Sequence, residues 1–315
     1  MKKILITGGA GFIGAHLAKK LAKMNYNITI IDKLSGNNAA LKQERLNKFL
    51  DNREYTFYNL DLFDFNRIKK VFKRHRFDII CHFAAKTNLI FDPEYYEKNN
   101  IIGTLNIFEL AKEFKTAKII FASSSMVYGN NDKLPFCESD NTDCPLSLYA
   151  ATKKSNEILA YTYHRLHGIQ MVGLRFFTTY GPWGRLDMSI RKFTEQILRN
   201  EEIEMYNFGK IERDFNYIDD TINGIIAAIE KSFNYELFNI GSGKTASLEK
   251  IINLIEENLK IKARKKYIPM QPGDMPKTWA DIRKAKKLLN YKPQISIEEG
   301  IKRFIVWNNE YNSKL

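Results

Sequence analysis

Lys3-Ile4-Leu5-Ile6-Thr7-Gly8-Gly9-Ala10-Gly11-Phe12-Ile13-Gly14-Ala15-His16-Leu17-Ala18-Lys19-Lys20-Leu21-Ala22-Lys23 is the stretch that decides the fold. Its first five residues form a short apolar run, the pattern of a buried parallel strand. A glycine-rich turn follows, and His16–Lys23 then repeats its apolar residues at helical spacing. Strand, glycine turn and helix in that order are the context that a dinucleotide-binding turn requires. Glycines there let the backbone approach a pyrophosphate, which rests on the helix N-terminus. Gly8, Gly11, Phe12, Ile13 and Gly14 are the candidate contacts. A second strand, Asn27–Ile31, ends at Asp32. A carboxylate at that point accepts hydrogen bonds from adenosine ribose hydroxyls and repels a 2′-phosphate, which favours NAD over NADP.

Outward from this unit the alternation continues. Tyr55–Tyr58 reads as a strand followed by Asp61 and Leu62, and Asn66–Arg74 as a helix. Asp78–His82 is a strand running into Phe83-Ala84-Ala85-Lys86, with a long helix over roughly Glu94–Phe114. Ala117–Ala122 is the next strand, and it delivers Ser123, Ser124 and Ser125 at its C-terminal end. Gln170–Leu174 is a further strand, ending in Arg175–Arg185. Every motif falls at a strand C-terminus, where open parallel sheets bind ligands. The expected fold is α/β, a Rossmann-type doubly wound parallel sheet with a smaller C-terminal substrate-binding lobe. Residues 1–176 with about 212–240 form the dinucleotide-binding part. The ranges 177–211 and 241–315, where glycine, proline, arginine and aromatics cluster, form the lobe.

Chemistry concentrates in Leu148-Tyr149-Ala150-Ala151-Thr152-Lys153, after a polar loop over Asn130–Pro145. A four-residue spacing puts Tyr149 and Lys153 on one helix face, one turn apart. A phenol with a reference pKa near 10 is a poor base at neutral pH, and a neighbouring ammonium favours its phenolate. Such a pair can take a proton from an alcohol whose carbon loses hydride. A serine from the neighbouring strand end can hold the same alcohol.

The chain has 315 residues, 44% hydrophobic and 13% aromatic, a composition that supports a packed body. Its formal net charge is +13, but basic residues are spread along the whole chain and interleaved with acids. Solvated faces, with some attraction of an anionic substrate, explain this better than nucleic-acid binding. No apolar run reaches the length of a membrane span, and Cys81, Cys137 and Cys144 show no metal-ligand spacing. A cytoplasmic protein with reduced thiols and no metal, nucleic-acid or membrane partner is expected. Gly241-Ser242-Gly243-Lys244-Thr245 suggests a phosphate loop, but Phe238 stands where that motif needs glycine. His164 and His167 have no third ligand nearby and read as a surface pair, and Asp219-Asp220 as a helix N-terminal pair.

Gly8–Gly14, Asp32, Ser124, Tyr149 and Lys153 together resemble an extended short-chain dehydrogenase/reductase over essentially the whole chain. Ser147–Lys154, Arg175–Arg185, Arg213–Asp220 and Pro269–Asp274 make it similar to the nucleotide-sugar 4-epimerases, UDP-glucuronate 4-epimerases most of all. The resemblance implies a bound NAD, a UDP-sugar substrate and a homodimer paired through the helices near Glu94–Phe114 and Tyr149–His167. It implies Tyr149 as base, Lys153 as its activator and nicotinamide-ribose contact, and Ser124 at the sugar's C4 hydroxyl. Asp61 and Leu62 would line the adenine, and Ala84, Lys86 and Asn100 would face the cofactor. Ser125, Thr178 and Arg185 would meet the sugar, and Arg213 and Asp274 the diphosphate and ribose. The chain departs from the glucuronate enzymes at Lys33–Gly36, Lys86–Ile90 and Met126. A 4-epimerase of a neutral UDP-hexose or UDP-N-acetylhexosamine therefore stays open. So does a dehydratase or decarboxylase of the same superfamily, although Met126 stands where those carry an acid/base glutamate.

Overall fold

The computed structural model describes residues 1–35, 38–50, 55–87, 92–270 and 274–313. In chain order its first half runs β1 (Lys3–Thr7), α1 (Phe12–Ala22), β2 (Asn27–Asp32), α2 (Ala39–Phe49), β3 (Tyr55–Asn59), α3 (Phe65–His75) and β4 (Ile79–His82). Then come α4 (Pro93–Tyr96), a π-helical turn at Glu97–Ile102, α5 (Gly103–Glu113), β5 (Lys118–Ser124), a 3₁₀ turn at Ser125–Tyr128, α6 (Leu148–His167) and β6 (Gln170–Phe176). The second half comprises β7 (Thr178–Tyr180), α7 (Ser189–Leu198), β8 (Glu202–Met205), β9 (Glu212–Arg213), β10 (Phe215–Tyr217), α8 (Ile218–Glu230) and β11 (Tyr235–Ile240). It closes with β12 (Ala246–Ser247), α9 (Leu248–Leu259), β13 (Arg264–Tyr267), β14 (Lys277–Thr278), α10 (Arg283–Leu289) and α11 (Ile297–Asn312).

Seven strands form one parallel sheet in the order β11-β6-β5-β4-β1-β2-β3. The sheet is buried on both faces, so β1 shows no polar alternation: Ile4, Leu5 and Ile6 are all fully buried. Ile4 and Ile6 pack on the face covered by α1 and α8, and Leu5 packs on the face of α3 and α5. The chain reverses direction across the sheet between β1 and β4. This switch point opens a crevice at the strand C-termini. The remaining strands form three small sheets, β10-β7, β12-β9-β14 and β13-β8, beyond that edge.

The expected strands are all present, and the expected α/β class stands. Two details differ. The helix anticipated over Glu94–Phe114 is broken by the π turn, because Asn100 has a demanding set of partners described below. Helix α2 follows β2 in a stretch to which no element was assigned above. In Gly241–Thr245 the carboxylate of Asp214 fills the turn. It accepts from Ser242 N (2.6 Å), Ser242 Oγ (2.7 Å), Gly243 N (2.9 Å) and Ala280 N (3.2 Å). Asp219 and Asp220 do lie in the first turn of α8. Asp220 accepts from the backbone of Gln294 and Ile295 and so ties α8 to the C-terminal segment.

Candidate active site

At the switch point the β1–α1 turn forms a cradle that only glycine permits. Gly8 has φ +71°, and a Cβ there would lie 2.6 Å from Ala84 N. A Cβ on Gly14 would lie 2.3 Å from the carbonyl oxygen of Gly8. Gly11 caps α1 without a side chain, so the first amides of the helix are open to an anion. Asp32 ends β2 and is 7% exposed. Its Oδ2 accepts from Ala10 N at 3.0 Å and its Oδ1 from Lys42 Nζ at 2.7 Å. Asp61 accepts from Lys33 Nζ at 2.8 Å. Open amides, backbone without Cβ and a strand-end acid fit a dinucleotide in an extended pose.

The cradle continues into a cavity of about 530 Å³. Its wall brings together Gly8, Gly11, Phe12, Ile13, Gly14, Asp32, Asp61, Leu62, Ala84, Lys86, Ser124, Tyr149, Lys153 and Arg185. Ser147 starts α6 by accepting from Ala150 N, which sets Tyr149 in the first turn and Lys153 one turn on. Lys153 Nζ donates to Ala122 O at 2.9 Å and lies 5.9 Å from the centre of the Tyr149 ring. Burial pulls Lys153 down to about 8. Burial also raises the Tyr149 phenol above its ordinary value, while a hydrogen bond with Ser124 and the charge of Arg185 oppose that shift. The charge expected of Lys153 thus works against burial, which disfavours the ionised form of both groups.

Beneath the serines lies a closed polar network. Arg175 and Glu157 form a two-pronged pair, Nε–Oε1 and Nη2–Oε2 both 2.8 Å, with each side chain 3% exposed. Ser123 Oγ donates to Glu157 Oε1 at 2.6 Å. Arg175 Nη1 donates to the Tyr128 hydroxyl, and that hydroxyl donates to Asn239 Oδ1 at 2.7 Å. The strand end carrying Ser124 is thereby bonded to α6, β6 and β11.

A profile of the family described as GDP-mannose 4,6 dehydratase matches residues 5–304. The chain belongs to that family. It is 41% identical over 311 residues to a UDP-glucuronate 4-epimerase of Thermodesulfobacterium geofontis, covering 97% of this chain and 96% of that one. Its fold matches the UDP-glucuronic acid 4-epimerase of Bacillus cereus, solved with UDP-glucuronic acid and NAD. There the TM-score is 0.92 at 35% identity, covering 98% and 99% of the two chains. A UDP-glucose 4-epimerase of Thermotoga maritima, solved with UDP-glucose, matches with TM-score 0.89 at 31% identity, again over 98% and 99%.

Some candidate residues of this family member lie off the cavity wall. Asn100 is fully buried and does not face the cavity. Its amide accepts from Lys86 N (2.8 Å) and donates to Lys86 O (3.0 Å) and Thr152 Oγ1 (3.1 Å), so it fixes the segment carrying Lys86. Ser125 is buried in the 3₁₀ turn, and Thr178 pairs with Phe215 in a small sheet while its neighbour Thr179 reaches the wall. Arg213 and Asp274 pair with each other, Nη2–Oδ1 2.7 Å. Asn88–Ile90, Gly36 and Gln271–Gly273, named above in the departures and motifs, lie outside the described residues.

Sequence reasoning missed Lys42, Arg45 and Asp187. Arg45 is 1% exposed and holds Trp183 O through Nε (2.9 Å) and Nη2 (2.7 Å), and Ala10 O through Nη1 (3.2 Å). Trp183 has φ +64°, and Arg191, stacked near Trp307 and Tyr311, holds Gly184 O. Two buried guanidinium groups thus fix the turn that presents Arg185. The one available signal was a lone arginine beside Leu41 and Leu46 on the apolar face of α2.

Proposed function

We propose that this protein is an NAD-dependent 4-epimerase that interconverts UDP-glucuronate and UDP-galacturonate. The observation carrying this is a single cavity wall that joins the dinucleotide turn to Ser124, Tyr149, Lys153 and Arg185. NAD held by Gly8, Gly11, Gly14 and Asp32 would supply a reversible hydride acceptor for C4 of the sugar, so that C4 can be re-reduced on its opposite face. Tyr149 takes the C4 hydroxyl proton and later gives it back. Ser124 holds the same oxygen, and Lys153 supplies the positive charge that favours the phenolate. The 4-keto uronate is a β-keto acid, prone to lose CO₂. Met126, in the turn after Ser124, carries no acid/base group, which separates this reading from decarboxylases and dehydratases. Arg185 is the cation placed to receive the C6 carboxylate.

A second reading, epimerisation of a neutral UDP-hexose, is favoured by one observation: Arg185 is already paired with Asp187. An NMR assay of UDP-glucuronate, UDP-glucose and UDP-N-acetylglucosamine side by side decides between them. Faster turnover of a neutral sugar would overturn the uronate assignment and keep the mechanism.

The division into residues 1–176 with 212–240 and a lobe of 177–211 with 241–315 is supported by β11 joining the main sheet. A homodimer is supported by α6, which leaves Leu148, Ile158, Tyr161 and Leu166 between 40% and 71% exposed. Three cysteines without disulfides agree with a cytoplasmic setting.

A further inference from the structure

Arg185 enters the cavity with its guanidinium already engaged. Nε donates to Asp187 Oδ1 at 2.9 Å and Nη2 to Asp187 Oδ2 at 3.0 Å, while Nη1 reaches Thr87 Oγ1. Both carboxylate oxygens of Asp187 therefore lie in the fork of Arg185, the geometry that a uronate's C6 carboxylate would adopt. The pair is open to water, with side chains 34% and 47% exposed, whereas Glu157–Arg175 is sealed. Exposed ion pairs are weak and exchange partners readily. Trp183 and Gly184, by contrast, are clamped by buried arginines, so the turn stays in place while the pair opens.

We propose that Asp187 is a built-in competitor for the substrate carboxylate and sets the discrimination between uronate and neutral sugars. A UDP-uronate exchanges its C6 carboxylate for that of Asp187 in the fork of Arg185. A neutral UDP-hexose cannot displace it, so Arg185 stays paired and its charge is not left bare beside an uncharged sugar. The strength of the Asp187 pair thus tunes uronate affinity downward. This rests on Arg185 as the uronate contact, the reading given under Proposed function.

The test uses NAD-loaded full-length protein carrying Tyr149→Phe throughout, so that bound sugars are not converted, titrated calorimetrically with UDP-glucuronate, UDP-glucose and UDP. Asp187→Asn keeps the side-chain size and removes the charge. The ratio of UDP-glucose to UDP-glucuronate dissociation constants should rise about two- to fivefold, the range that partly exposed pairs support. UDP alone should bind as before. In an Arg185→Met background the same change should have no effect on the ratio, as a double-mutant cycle requires. A ratio that is unchanged or falls in Asp187→Asn overturns the competitor role and leaves the uronate reading intact. If Arg185→Met alone leaves the ratio unchanged, the uronate reading of Arg185 fails, and the competitor role with it.

Discussion

Replacing Glu157 with glutamine tests the scaffold under Ser123 and Ser124. The change keeps shape but leaves Arg175, 3% exposed, without its countercharge. Breaking a sealed pair from one side costs about 3–5 kcal/mol, because the remaining charge stays buried. One of the two Arg175 contacts would survive through the glutamine oxygen, and Tyr128 still accepts from Nη1 at 3.0 Å, so the low end, about 3 kcal/mol, is expected. Against a total stability of about 5–15 kcal/mol this is large. At about 2–4 °C per kcal/mol for a large domain, the melting temperature should fall by roughly 6–12 °C. The assay is thermal unfolding followed by circular dichroism, without ligand. Ser123 would lose the charged acceptor at 2.6 Å, so turnover should also fall in protein that is still folded. Glu157→Met with Arg175→Met should recover much of the stability, since apolar replacement of a buried pair is often neutral. A drop below about 2 °C for Glu157→Gln would refute the view that this pair organises the strand end.

Tyr149→Phe should cost about 10² to 10⁴ in turnover with the fold and NAD binding retained, the usual worth of positioned proton transfer; a near wild-type rate rules out Tyr149 as base. Lys153 should lose its ammonium as pH rises through about 8, so turnover should bend downward above that pH; a profile flat to pH 10 contradicts the role given to its charge. The sign for stability is opposite. Between about 8 and the ordinary 10.5 the unfolded chain holds a proton that the folded chain has released. Ligand-free wild type should therefore gain stability relative to Lys153→Met across that window, as read in denaturant titrations at stepped pH. Asp32→Ala should release Lys42, now 2.7 Å from the carboxylate, toward a 2′-phosphate. NADP binding by calorimetry should then strengthen, and an unchanged NAD preference would show that Asp32 does not set it.

The dinucleotide half was legible because its signals are local. A strand, a glycine turn and an acid at the next strand end lie within 32 residues, and one backbone pattern demands them all. Tyr149 and Lys153 were legible for the same reason, one turn apart on one helix. Their ionisation was not, since spacing reports proximity and says nothing of burial, which dominates both groups here. Asn100, Arg213 and Asp274 were placed by resemblance. Their contacts within the chain, to Lys86 and to each other, depend on a π turn and on long-range packing that no short window contains. Arg45 and Arg191 left little trace, because a guanidinium bonded to carbonyls leaves no complementary acid in the sequence, and Arg45 showed only as an arginine on an apolar helix face. Asp187 looks like an ordinary surface acid until its geometry against Arg185 is seen.

In the proposed reaction C4 alone is oxidised and re-reduced within one closed cycle. The direct measurement is an NMR analysis of UDP-glucuronate incubated with the protein in D₂O. The expected product is UDP-galacturonate that keeps its original hydrogen at C4, carries no deuterium at C4 or C5, and forms with little CO₂. Deuterium at C4 or C5 of the product, or UDP-glucuronate that comes back unchanged while UDP-glucose is epimerised, would contradict it.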